Sequence, residues 1–70
     1  MKSLTSPMAG VVLRVPAEVG QSLQAGQEAV VLESMKMEIP VEAGEAGTVR
    51  EVRVKAGDFV NEGDVLLELD

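Results

Sequence analysis

One lysine stands apart among the side chains of this 70-residue sequence. Lys36 is the only lysine between Lys2 and Lys55, with Met35 and Met37 on either side and Glu33 and Glu38 just outside them. Methionine is the adaptable side chain of surfaces that accommodate a partner protein or ligand. It supplies none of the turn chemistry of an Asn-Gly pair, so two methionines beside a lysine read as more than a solubilising tip. A plain solvated lysine at a hairpin end remains the competing reading, as does burial of one or both methionines. Beyond this cluster only isolated carboxylates, hydroxyls and lysines are left to do chemistry.

The chain has no Cys, His, Trp or Tyr, and Phe59 is its one aromatic residue. That excludes a Cys-His couple, a Ser-His-Asp triad, a thiolate zinc site and a histidine acid–base switch. The twelve acidic residues are scattered without the alternate-residue spacing of a calcium loop, so no metal site is expected. A single small core also leaves no room for a deep substrate pocket. The expectation is therefore a protein that is not an enzyme and has no catalytic residues. A formal charge of −6 with one aromatic argues against nucleic acid. No apolar run approaches a membrane span, and no signal-peptide core follows Met1, so the sequence reads as soluble and cytoplasmic.

The elements that must position Lys36 follow from an internal repeat. Shifted by 37 residues, Ala9, Gly10, Val12, Val15, Gly20, Gly26 and Leu32 fall on Ala46, Gly47, Val49, Val52, Gly57, Gly63 and Leu69. These are seven identities in the 25 ungapped pairs that relate halves 9–33 and 46–70 of one domain, 1–70. Each copy holds a β-rich run (Val11–Val15, Thr48–Val54), a short strand between glycines, and a final apolar strand (Ala29–Leu32, Val65–Leu69). No window carries a clean helical stripe, so the fold class is all-β. Two like halves suggest two antiparallel sheets packed with pseudo-twofold symmetry, residues 34–41 crossing from one to the other. With Ala29–Ser34 and Met37–Val41 as antiparallel neighbours, Met35 and Lys36 form the turn, and the termini meet at the opposite end.

Glu33-Ser34-Met35-Lys36-Met37-Glu38 closely resembles the attachment motif of the biotinyl domain, Glu-Ala-Met-Lys-Met-Glu. Ser6-Pro7-Met8-Ala9-Gly10 is similar to that family's opening, and Val54–Asp58 and Glu62–Leu66 to its second-half turns. The resemblance runs from about Leu4 to Asp70 and is strongest to stand-alone biotin/lipoyl attachment proteins of the biotin carboxyl carrier type. It implies a flattened barrel-sandwich hybrid, or hammerhead, of two four-stranded antiparallel sheets. It also implies that a biotin protein ligase joins biotin to Lys36, for exchange between a biotin carboxylase and a carboxyltransferase. Met35 and Met37 then correspond to methionines linked with ligase recognition and efficient carboxylation. Glu33 and Glu38 would help the ligase discriminate, or are simply solvated charges at strand ends.

Ser34 replaces the motif's alanine and Ala9 its second proline, while Ala43-Gly44-Glu45-Ala46-Gly47 lacks the proline and aspartate usual before the second long strand. The spacing from Val12 to Lys36 leaves no room for the extra loop of bacterial acetyl-CoA carboxylase carriers. Two alternatives stay open. One is a lipoyl carrier for 2-oxoacid dehydrogenase-type acyl transfer, whose lysine normally follows Asp and precedes Ala. The other is an unmodified β interaction module.

Overall fold

Short alternating apolar runs punctuated by glycine favour strands too brief to stand alone, so they gain stability only by packing sheet on sheet. The computed structural model describes residues 2–70; Met1, the first residue of the expected domain span, lies outside the described residues. The strands are β1 (Lys2–Thr5), β2 (Gly10–Arg14), β3 (Ser22–Leu23), β4 (Glu28–Ser34), β5 (Met37–Glu42), β6 (Gly47–Val52), β7 (Phe59–Val60) and β8 (Val65–Leu69). They form two four-stranded sheets, ordered β1-β8-β6-β3 and β5-β4-β2-β7. Every pairing is antiparallel. This is the all-β, two-sheet class expected. Each strand of one sheet has its counterpart 37 positions away in the other, down to register: Ser22 faces Thr48 as Phe59 faces Val11.

Residues 34–41 do not cross between sheets as expected. They close a hairpin between β4 and β5, which are neighbours in one sheet. A two-residue turn can join only adjacent antiparallel strands, whereas stacked sheets lie about 10 Å apart. Crossing is left to the other connections, such as the one from β2 to β3, so each sheet mixes strands from both halves. The expected strand through Val54 also ends earlier, at Val52. A register shift between Val49 and Glu51 breaks its alternation and leaves Arg50 and Glu51 both exposed.

The inner faces meet in an aliphatic core. Leu23, Leu32, Leu66, Leu67, Val12, Val30 and Val49 are each less than 2% exposed. Truncating one such leucine to alanine typically costs about 2–5 kcal/mol. Lys2 pairs with Leu69, so the two ends of the described chain lie side by side.

Around the two-residue strands the chain repeats one turn four times, at Glu18–Gln21, Gln24–Gln27, Lys55–Asp58 and Asn61–Asp64. In each, the fourth residue's N–H donates to the first residue's carbonyl at 3.0–3.1 Å. The fourth side chain returns the bond, its oxygen accepting from the first residue's N–H at 2.8–3.0 Å. The third residue is always glycine, with φ between 87° and 96°, as a type II turn requires. The Gln and Asp after each glycine therefore close turns, which sequence reading had passed over.

Gly10 is needed for a different reason. A Cβ built there would lie 2.8 Å from the Glu33 carbonyl oxygen, and its counterpart Gly47 meets Asp70 O at the same distance. Both contacts are to backbone, which cannot swing away. Gly10→Ala should therefore destabilise the fold by about 1–3 kcal/mol in urea titrations. Gly44→Ala, with nothing within 4 Å of the added methyl, should stay within about 0.5 kcal/mol of the parent.

Candidate functional site

Four consecutive buried residues, Ala29–Leu32, fix β4 between β2 and β5. The register then runs from Glu28 opposite Glu42 to Ser34 opposite Met37. Only Met35 and Lys36 remain to turn the chain. Both take positive φ, 53° and 66°, the left-handed pair that a type I′ hairpin demands. Asn-Gly adopts this conformation at little cost, whereas an ordinary side chain pays roughly 1–2 kcal/mol per residue. Strain of this kind marks places where the chain is held for a purpose other than stability.

The turn is also stripped of cover. Met35 is 91% exposed and Met37 61%, and Lys36 is exposed between them. Neither methionine is a core residue, which removes the burial alternative. Among the described residues no carboxylate lies within ion-pair distance of the Lys36 amine. Glu33 and Glu38 face each other across β4 and β5 on the outer face of the sheet, two residues from the turn. Like charges in that relation repel. Arg14 relieves the pair, its guanidinium donating to a Glu38 carboxylate oxygen at 3.3 Å. The five residues singled out by sequence thus converge on one hairpin end.

Arg14 was missed because its approach to Glu38 depends on a register shift between Val12 and Arg14, which sequence does not announce. The base of the hairpin is equally dependent on small residues. The close approach of Gly10 to Glu33 places Ser34 Cβ only 3.6 Å from where a Gly10 Cβ would stand. A cleft of about 480 Å³ elsewhere is lined by Lys2–Thr5, Glu42, Gly44, Glu45 and Leu69, none of them at the Met35–Lys36 turn. The site is a bare projecting amine on a rigid sheet, suited to be acted on.

Two packed four-stranded sheets with a lysine held at a two-residue hairpin end define a class of small β domains that present a lysine. Residues 2–69 match the biotin/lipoyl family model, described as a biotin-requiring enzyme, and the chain belongs to that family. It is 58% identical over 62 residues to the biotin/lipoyl attachment protein of Bacillus subtilis, covering 89% of this chain and 85% of that one. It is 49% identical over 67 residues to the human mitochondrial propionyl-CoA carboxylase alpha chain, covering 96% of this chain but only 9% of that relative. Among solved structures, Kluyveromyces lactis urea carboxylase superposes with a TM-score of 0.92 at 32% identity, over 99% of this chain and 6% of that one.

Replacing the strained pair, Met35→Asn with Lys36→Gly, should stabilise the domain by about 1–2 kcal/mol. For a domain of this size that is a rise in Tm of about 4–8 °C per kcal/mol, readable by circular dichroism. An unchanged or lower Tm would mean the turn stores no strain.

Proposed function

We propose that this chain is a biotin carboxyl carrier in which Lys36 is the attachment point. We also read residues 1–70 as one carrier domain with repeat halves 9–33 and 46–70. The observation that carries the assignment to Lys36 is its place in the left-handed Met35–Lys36 turn, exposed and without an ion-pair partner among the described residues. Membership of the biotin/lipoyl family and likeness to carboxylase chains support biotin as the group. The chain spans less than a tenth of the length of those carboxylases, so their other activities lie outside these 70 residues.

The fit of the group is chemical. Amide formation needs an amine that can reach an activated carboxylate, and the exposed Lys36 hairpin offers one. In that step Lys36 Nζ attacks the acyl carbon of an activated biotin carboxylate. The C–N bond forms, the bond to the adenylate oxygen breaks, AMP leaves, and the amine loses a proton. The domain's formal charge moves from −6 to −7. Once attached, biotin supplies a ring nitrogen able to carry a carboxyl group from a biotin carboxylase to a carboxyltransferase. The chain's own residues contribute position. The paired sheets hold Cα of residue 36 rigid, while the lysine stem supplies reach, so the effective concentration at two successive active sites stays high without release. Met35 and Met37 offer polarizable apolar surface on both sides of the amine for an enzyme to grip. Glu33 and Glu38 add negative charge beside it.

Incubation with biotin protein ligase, biotin and ATP should add one biotinyl group to the intact mass of the wild type and none to Lys36→Ala. The same reaction with lipoate and a lipoyl ligase should leave the mass unchanged. A wild type that takes lipoate and refuses biotin would move the assignment to the lipoyl alternative. Refusal of both would leave an unmodified interaction module.

A further inference from the structure

Phe59 is the chain's sole aromatic residue, and it is 65% exposed. It lies on the outer face of the attachment sheet, opposite Val11 on β2, which is itself 38% exposed. Val11 in turn faces Glu33, and Glu33 faces Glu38. One row therefore crosses the sheet from Phe59 through Val11 to the two glutamates at the foot of the Lys36 hairpin. The fold has no use for the aromatic ring. In the other sheet the corresponding positions are Ser22 and Thr48, in the same register. There the inward neighbours Leu23 and Val49 are buried just as fully as Val60 and Val12 are beside Phe59 and Val11. The apolar pair thus distinguishes the sheet that bears Lys36 from its near-twin.

We propose that the Val11–Phe59 ridge is the docking surface for the ligase that acylates Lys36, seated in an apolar cleft of that enzyme whose basic rim meets Glu33. The inference rests on the attachment reading above. Reach selects the ligase over the carboxylase enzymes. A lysine stem places Nζ roughly 6 Å from its Cα, so an active site that acts on the amine itself must press against the domain. A standard interface of about 800 Å² per partner, centred on the turn, extends roughly 16 Å outward. Adjacent strands are about 4.8 Å apart, which puts Phe59 about 10 Å across the sheet from Glu33 and inside that footprint. An enzyme that acts at the far end of the biotin arm is free to stand off. An aromatic anchor beside a charged rim is also the usual make-up of an interface hot spot. On this chain's side an acidic charge is left beside the ridge, since Glu38 is engaged by Arg14 while Glu33 makes no ion pair among the described residues.

The test replaces each residue with its counterpart from the other sheet, Phe59→Ser and Val11→Thr, which that sheet already tolerates. Initial biotinylation rates of the apo chain are measured at saturating biotin and ATP, with Tm recorded alongside. The expected result is a fall in kcat/KM of at least tenfold for Phe59→Ser and about threefold for Val11→Thr. The loss should lie in KM, with kcat within twofold and Tm unchanged. The two variants are read separately, so a folding defect in one leaves the other to decide. After exhaustive biotinylation, both should serve biotin carboxylase within twofold of wild type. Unchanged ligase kinetics in the folded variants would overturn the proposal, as would a loss confined to the carboxylase assay. A wild type that accepts no biotin would instead overturn the attachment reading, and this inference with it.

Discussion

The structure turns on a pair of residues held where they would not settle by themselves. Met35 and Lys36 both lie in the left-handed region, at a combined cost of roughly 2–4 kcal/mol. A free hairpin of this sequence would slip its register or open. Here the adjoining strand carries Val30, Val31 and Leu32, each 1% exposed or less. Full burial of such side chains contributes about 1.5–3 kcal/mol apiece. Slipping β4 by one residue would carry exposed Glu33 or Glu28 into a buried position and move a buried side chain out, so burial outweighs strain and fixes the turn. Gly10, pressed against the Glu33 carbonyl, holds the base of the hairpin from the other side.

The near-twofold plan supplies rigidity cheaply. Four copies of one turn, each closed by a Gln or Asp side chain, let two-residue strands connect the sheets without long loops. Function needs that symmetry to be broken, and it is broken on one sheet. That sheet carries the strained hairpin, the exposed methionines, the facing glutamates and the Val11–Phe59 pair. The opposite sheet presents Ser22 and Thr48 at the matching positions of its outer face. A carrier domain has reason to concentrate its distinguishing residues in this way.

Much of the fold was legible because glycine and alternation are strong local signals. The 37-residue offset exposed the recurrence of Gly20 and Gly26 as Gly57 and Gly63, while a β-rich run marked β2 and a period-2 run marked β6. The distribution of strands between sheets was not legible. A repeat says that two segments are alike without saying which neighbour each pairs with, so residues 34–41 were read as crossing between sheets, although the turn at Met35 and Lys36 between antiparallel neighbours was read correctly. Lys36 stood out through its methionines, yet the left-handed turn did not, since Met-Lys carries none of the Asn-Gly signature. The Arg14–Glu38 contact depends on a register shift, and the Val11–Phe59 pairing on long-range order; local sequence encodes neither.

The carrier account is tested most directly by following the carboxyl group. The biotinylated chain is mixed with biotin carboxylase, ATP and isotopically labelled bicarbonate, then re-isolated. The account predicts label on the chain equal to its biotin content and absent from Lys36→Ala, and discharged when a carboxyltransferase and its acceptor are added. A biotinylated chain that acquires no label, or one that keeps its label in the presence of acceptor and carboxyltransferase, would contradict it.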